Sequence, residues 1–336
     1  MKKIIYVLLA VLIILGACST GDAAAATTAA TGAVFGESSE ALVFLNCKAV
    51  SEDEIEFEFS QSVTVMSVNF EPDLSVASVE NGSVVKVKLD EIPEPGVQFT
   101  ADLLAEDAGK NTINVIVPFR SRNNRMPKLV INELFTEYST PKAEFIELKM
   151  KSDGNLGAMR VVILGNSTAS KHTVYEFMPC EVKNGDYVVI HLRTLEESCI
   201  NEYNGNIEES GSTNSSPTAW DFYALGNTKL IQKTATAVYV LDQDDNVLDA
   251  VMISETPDSW WKKDYLTEAA EFLFEKSAWK SLEGEICSPA NAVDTSGIKT
   301  AKTKSISRDE NAEDTNTAAD WHVTASSGAT PGKPNK

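Results

Sequence analysis

Residues 129–134 read Leu-Val-Ile-Asn-Glu-Leu, and residues 143–150 read Ala-Glu-Phe-Ile-Glu-Leu-Lys-Met. Both runs have the length and the apolar content of a β-strand. Far downstream stand Ser-Ile-Ser-Arg at 305–308, Asp-Trp at 320–321 and Thr-Pro-Gly-Lys-Pro-Asn at 330–335. We expect this C-terminal part to return beside the two strands, so the sequence predicts an all-β domain that its own C-terminus closes.

The N-terminus has the pattern of an export signal. A basic start precedes an apolar run, residues 4–15, which is too short for an ordinary membrane span. The run ends in Leu-Gly-Ala-Cys at 15–18, which resembles the lipobox of bacterial lipoproteins. The resemblance implies a signal peptide over 1–17 and a Cys18 acylated with palmitate-like chains. Lipid would then hold the protein on a cell-envelope membrane, either the outer membrane or a periplasmic face. A plain signal peptide or signal anchor with a chance cysteine is the alternative.

The chain is strongly acidic. It has 336 residues, with 49 Asp and Glu against 29 Lys and Arg, and a formal net charge of −20 at pH 7. Such a surface repels phosphate backbones, so the composition argues against a nucleic-acid partner. The expected partners are the membrane, through the lipid, and a protein or glycan ligand. The length fits two domains.

A tether and a first small domain are predicted ahead of the main domain. Residues 18–39 are rich in Ala, Thr and Gly, so they bury too little apolar surface to fold and form a flexible tether. From 40 to 120, short alternating strands such as 55–59 recur between turn residues. This part resembles the bacterial Ig-like domains of surface proteins, which implies a small β-sandwich. Residues 121–127 are polar, end in proline and are predicted to be a linker.

A second domain is predicted over residues 128–335. Its strand-like runs lie at 131–134, 144–148, 161–164, 187–190 and 247–251, before the ending at 305–335. Their order resembles that of lamin-tail domains, which implies a second Ig-like β-sandwich in tandem with the first. Insertions at 199–219 and 257–292 depart from the compact pattern of that family. Because residues 265–276 have helical composition and spacing, one helical insertion is expected in this domain.

Acidic residues in the two opening strands suggest two different roles. Paired carboxylates in a cleft are typical of glycoside hydrolases, and Glu133, Glu144 and Glu147 are the acids available. Strand alternation places Glu144 and Glu147 on opposite faces, so these two cannot flank one bond. A structural role is the better interpretation, in which Arg308 forms a bidentate ion pair with Glu133 or Glu147 and fixes the C-terminal segment. No catalytic residue is assigned.

Metal and cofactor sites receive little support from the sequence. Asp242 and Asp244 begin the spacing of a calcium loop, but the glycine and the distal glutamate of such a loop are missing. A hairpin turn is the simpler interpretation. His172, His191 and His322 stand far apart without zinc-ligand spacing, and no Gly-x-Ser-x-Gly run presents a serine nucleophile. We therefore predict neither a metal nor a cofactor.

Four cysteines follow Cys18 in the chain, at positions 47, 180, 199 and 287. An exported compartment permits disulfides, so Cys180 and Cys199 are a candidate pair between neighbouring strands. Free buried thiols are the alternative.

Aromatic residues near the two insertions provide the leading binding hypothesis. Trp220, Phe222 and Tyr223 follow the first insertion, and Trp260 and Trp261 lie in the second. Because Trp and Tyr are favoured in contacts with ligands, the five are predicted to line one binding rim, with core packing as the alternative. The expected function is a non-catalytic interaction or display module for protein or glycan. A structural envelope component and a cryptic exported hydrolase are the alternatives.

Overall fold

β-Structure dominates the part of the chain that the structure describes. The computed structural model describes residues 41–165, 172–298 and 303–336. The predicted signal peptide, the lipidation residue Cys18 and the tether lie outside the described residues. The all-β prediction with one helical insertion is confirmed. In the described ranges, no helix is both long and apolar enough to cross a bilayer.

The first sheet is built around one long strand. Its strands are β1 (Phe44–Ala49), β2 (Glu54–Glu71), β3 (Val76–Glu80), β4 (Gly82–Leu89), β5 (Gln98–Asp107) and β6 (Thr112–Arg120). The first part of β2 pairs with β1 and β4, and its second part pairs with β5, which pairs with β6. The alternating start of β2 buries Ile55 and Phe57, while Glu54, Glu56 and Glu58 stay at the surface.

Two larger sheets and one two-stranded pair form the rest of the described fold. Their strands are β7 (Leu129–Phe135), β8 (Phe145–Met150), β9 (Gly154–Asn155), β10 (Arg160–Leu164), β11 (Thr173–Glu176), β12 (Glu181–Val182), β13 (Tyr187–His191), β14 (Trp220–Tyr223), β15 (Ala235–Leu241), β16 (Val247–Ser254), β17 (Val293–Asp294), β18 (Ile306–Arg308) and β19 (Trp321–Val323). One sheet has the order β14-β13-β8-β7-β18-β19, and the other has the order β11-β10-β15-β16-β17. Strands β9 and β12 form a separate pair.

One buried core joins these two sheets. Ile131, Ile146 and Leu148 come from the first of them and Val161 and Val240 from the other, and all five are completely buried. The N-terminal sheet encloses a separate apolar cluster of its own. In the described residues, a third and smaller cluster, which includes Phe135 and Phe145, lies apart from these two cores.

The α-helix of the second insertion, α1 (Asp264–Glu275), begins one residue before the predicted helix. Leu266, Ala269, Ala270 and Leu273 are its buried residues, and their spacing of three and four places them on one face. This face packs against β15 and β16. Short 3-10 helices lie at Pro289–Asn291, Ser296–Ile298 and Ala318–Asp320.

The C-terminal part returns to β7. Ile306 of β18 pairs with Leu134, and Ser307 pairs with Glu133, after which β19 pairs with β18. Three-residue strands from the end of the chain thus extend the sheet in which β7 and β8 are neighbours.

The turn between β15 and β16 contacts the linker. Arg122 donates two hydrogen bonds to Asp244, at 2.7 and 2.6 Å, and the Gln243 amide bonds to main-chain atoms of the linker. Asp242 accepts the backbone N–H groups of Asp244 and Asn246. These are the contacts of a hairpin turn rather than of a calcium loop.

The described cysteines, Cys47, Cys180, Cys199 and Cys287, are all free thiols. The Cys199 sulfur lies 3.6 Å from the Ser212 hydroxyl and forms no disulfide with Cys180. Burial raises the pKa of the Cys47 and Cys180 thiols to about 12, so neither is a good nucleophile at neutral pH.

Candidate functional site

A groove lies where the helical insertion meets the start of β15 and the end of β16. Its volume is about 770 Å³, which is within the usual range of small-ligand pockets. Thr228, Gln232 and Thr256 contribute hydroxyl and amide groups to its walls. We call this site the distal groove. Lys229 belongs to the loop before β15, and Trp260 belongs to the insertion after β16.

Two adjacent tryptophans in the distal groove have different roles. The side chain of Trp261 is only 8% exposed, and its indole N–H donates to the carbonyl of Cys287 at 2.8 Å. Trp260 is 71% exposed. Trp261 therefore anchors the insertion, while Trp260 offers an aromatic face to a ligand.

Lysines give the distal groove a positive character. Lys229, Lys262 and Lys263 line it, and Lys262 pairs with Asp258 at 2.9 Å. Lys229 and Lys263 form no ion pair within the described ranges. With Glu255 and Asp258 as the acids in its lining, the groove has one more cation than anions, in a protein with a large excess of acids.

A buried ion pair holds one wall of the distal groove. Arg193 donates to both oxygens of the buried Glu144, at 2.6 and 2.7 Å. Its remaining nitrogen donates to the carbonyl and the side chain of Asn227, at 3.0 and 2.8 Å. The bond to Glu144 raises the pKa of Arg193, so the guanidinium stays charged. Arg193 thereby fixes the loop that carries Thr228 and Lys229.

The five aromatic residues predicted to line one rim are divided among three environments. Trp220 lines another groove, Phe222 and Tyr223 are buried, and Trp260 and Trp261 belong to the distal groove. Strand alternation in β14 is the reason, because it turns Phe222 into the core between the sheets and Tyr223 to the opposite side. The prediction of a single rim is therefore wrong.

The groove around Trp220 has a volume of about 690 Å³. The Trp220 indole N–H donates to Asp186 at 3.0 Å, and Arg125 pairs with Glu181 on its wall. Because these groups already satisfy one another, this groove offers fewer free polar contacts than the distal groove.

Glu133 and Glu147 lie opposite each other on β7 and β8, and both are completely buried. Neither pairs with Arg308. Glu133 accepts the Thr330 N–H at 3.0 Å, and Glu147 accepts the Gly332 N–H at 2.6 Å. Burial raises the pKa of both carboxyl groups, that of Glu147 to about 8. They therefore hold the C-terminal segment through its backbone rather than through an ion pair.

Arg308 has other partners than those predicted. Its guanidinium lies 2.9 Å from Asp249 on β16 and 2.8 Å from Asp314. Since Ser307 pairs with Glu133, alternation turns the next residue, Arg308, to the opposite face of the sheet. The predicted pairing of Arg308 with the β7 or β8 glutamate is therefore wrong.

His191 and Asp221 form a buried pair that the sequence analysis missed. Their Nε2 and Oδ1 atoms are 2.7 Å apart, and the His191 ring stacks on Tyr223 with centroids 4.8 Å apart. Asp221 also accepts the Ser216 N–H at 2.6 Å. The pair depends on the parallel pairing of β13 with β14, which local sequence does not reveal. It lines neither groove, and it ties the first insertion to the sheet.

No group of three or more His, Cys, Asp or Glu side chains in the described ranges is arranged to hold a metal ion. Glu133 and Glu147 accept hydrogen bonds from main-chain N–H groups, and the Lys149 ammonium pairs with Glu310. The distal groove, with its exposed indole and free lysines, is thus the site most open to a ligand.

Fold and groove together define an all-β chain with a ligand-sized groove beside a helical insertion. The family described as TP_1001_2nd, protein second domain, matches residues 127–323, more than half of the chain. The chain belongs to this family.

A curated relative is an uncharacterized protein of Treponema pallidum (strain Nichols), 24% identical over 214 residues, which are 61% of this chain and 53% of the relative. This chain thus spans about half the length of that relative. A solved DUF4876 family protein from Bacteroides thetaiotaomicron is 14% identical, with a TM-score of 0.30 over 82% of this chain and 94% of that one. For an alpha-L-rhamnosidase from Dictyoglumus thermophilum, the identity is 14% and the TM-score 0.21 over 64% and 28%. Scores this low support no inference about activity.

Proposed function

We propose that this protein is a cell-envelope lipoprotein that acts as a non-catalytic binding module and presents the distal groove to a glycan. The observation that carries the proposal is the 71% exposed indole of Trp260 in that groove. An indole beside hydroxyl, amide and ammonium groups suits a sugar ring, which has an apolar face and a polar rim. The Leu-Gly-Ala-Cys sequence at 15–18 supports the lipid anchor. The order of strand-like runs supports the Ig-like and lamin-tail assignments of 40–120 and 128–335.

The position of the groove supports a display role. Strand β15 runs from Ala235, which lines the distal groove, to Leu241, next to the turn that contacts the linker. Seven residues of strand cover about 20 Å. The distal groove thus lies about one strand length from the turn that contacts the linker.

A glycan suits the distal groove better than a protein partner does. Stable protein interfaces bury about 1,200–2,000 Å² over broad surfaces, whereas a concave volume of about 770 Å³ suits a small ligand or a few sugar units. Thr228 and Gln232 offer both donors and acceptors to sugar hydroxyls, and the Thr256 hydroxyl, which donates to Asp258, can still accept a hydrogen bond.

The hydrolase alternative would require a proton donor among the acids of the groove. Glu255 and Asp258 are the acids that line it. Hydrogen bonds from Lys262 and Thr256 lower the pKa of Asp258 and keep this carboxyl ionised. Asp258 is thus suited to accept hydrogen bonds, such as those of sugar hydroxyls, rather than to donate a proton.

Replacing Trp260 with alanine is expected to weaken glycan binding about tenfold, or about 1.4 kcal/mol, because the stacking face is lost. The purified full chain would be titrated with neutral and acidic oligosaccharides, and binding would be followed by tryptophan fluorescence and calorimetry. Because the side chain is largely exposed, the thermal unfolding temperature should stay close to that of the wild type.

Leu282→Ala is the matched control, since Leu282 is 67% exposed in the same insertion but lies outside the groove. It should retain wild-type affinity. The proposal is rejected if the wild type binds no oligosaccharide of the panel, or if Trp260→Ala and Leu282→Ala bind equally well.

A further inference from the structure

We infer that the ligand of the distal groove is an anionic saccharide, one whose sugar ring packs on Trp260 while its charged group lies near Lys229 and Lys263. The inference rests on the proposed glycan binding and adds the charge class of the ligand. It is carried by the placement of free cations beside the exposed indole.

The charge of the groove runs against the charge of the protein. Acidic residues outnumber basic ones by 49 to 29 in the whole chain, yet three lysines and two acids line the groove. The free ammonium groups of Lys229 and Lys263 thus form a local positive surface, which attracts anions that the rest of the protein repels.

The two lysines reach the groove from separate elements. Lys229 lies on the loop that Arg193 fixes through Asn227, so its backbone has a defined position. Lys263 is the residue before α1, and no side chain caps the N-terminal end of that helix. The helix end adds a partial positive charge beside Lys263, which Asp264 in the first turn partly offsets.

An anionic group on a sugar satisfies both parts of the groove at once. The indole of Trp260 covers the apolar C–H face of the ring, and the ammonium groups pair with a carboxylate or phosphate substituent. A neutral sugar would leave Lys229 and Lys263 without partners. A free phosphate would leave the aromatic face of Trp260 uncovered.

The test compares an oligogalacturonate hexamer with its carboxyl-reduced, uncharged counterpart on the purified full chain. The acidic hexamer should bind about tenfold more tightly at about 0.05 M salt, since each exposed charge pair contributes up to about a fivefold gain. At about 0.5 M salt the difference should shrink, because screening shortens the range of the attraction. Inorganic phosphate alone should compete only weakly.

The Lys229→Gln/Lys263→Gln double variant should lose most of the preference for the acidic hexamer and bind the neutral one as the wild type does. Lys276→Gln, at the other end of α1, is the control and should change neither affinity. Equal binding of the two hexamers by the wild type overturns this inference but leaves glycan binding intact. Binding of neither hexamer, nor of any other glycan in the panel, counts against both. Equal losses in the double variant and in Lys276→Gln would show that overall charge, not the groove, attracts the ligand.

Discussion

Replacing Arg308 with alanine is expected to destabilise the part of the fold formed by β7 to β19 by about 3–5 kcal/mol, because it leaves the buried carboxylate of Asp249 without its cation. The side chains concerned are almost inaccessible, with Arg308 4% and Asp249 3% exposed. Asp249 accepts from Arg308 at 2.9 Å and from the backbone N–H groups of Ile131 and Ala250. Arg308 thus joins β18, β7 and β16 at one point, and urea unfolding should show the loss as a lower midpoint.

Arg125→Ala is the control for the Arg308 variant. Arg125 also forms an ion pair, with Glu181, but the two side chains are 52% and 61% exposed. An exposed pair of this kind should contribute about 0–1 kcal/mol. The prediction is contradicted if the two variants unfold at the same urea concentration.

A double-mutant cycle distinguishes the partner of Arg308. Combining Arg308→Ala with Asp249→Asn should give a coupling energy of about 0.5–3 kcal/mol, because the two side chains are in contact. The cycle with Glu147→Gln should give a coupling close to zero, since Glu147 lies on the other face of the sheet.

Local periodicity was sufficient to predict the main elements. The runs at 129–134 and 143–150 became β7 and β8, and the spacing of apolar residues at 265–276 became α1. Such patterns are set by residues a few positions apart, so the sequence contains them directly. The sequence also predicted that the C-terminal part returns beside β7, because its strand-like run needs a neighbouring strand.

The face of the sheet on which each side chain lies was harder to predict. Adjacent aromatics in β14 point in opposite directions, so that Phe222 packs 5.1 Å from Phe177 while Tyr223 stacks on His191. Arg308 and Asp249 are 59 positions apart, and their contact depends on the register of β18 against β7. A shift of one residue in that register would exchange the two faces. Composition and spacing carry no information on such a register.

The second large effect is expected from pH and centres on Glu147. Burial raises the pKa of this carboxyl to about 8 in the folded protein, whereas it titrates near 4.5 when exposed. The folded state therefore keeps the proton over a range where the unfolded chain has lost it. The resulting stabilisation is complete below about pH 4.5 and is lost as the pH rises through about 8. From pH 6 to pH 9, this one group should reduce the free energy of unfolding by about 3 kcal/mol.

Glu147→Gln isolates this contribution, because glutamine keeps the shape of the side chain but does not titrate. Buried Asp249 and Glu202 also have raised pKa values, each near 7, so the wild-type slope contains their titration as well. The difference between the wild type and Glu147→Gln over pH 6–9 should therefore equal the Glu147 share alone. Glu271→Gln, an exposed change on α1, should keep the full wild-type slope. If Glu147→Gln and the wild type lose stability in parallel across this range, Glu147 is already ionised at pH 6, and the bonds from Gly332 and Asn132 outweigh its burial.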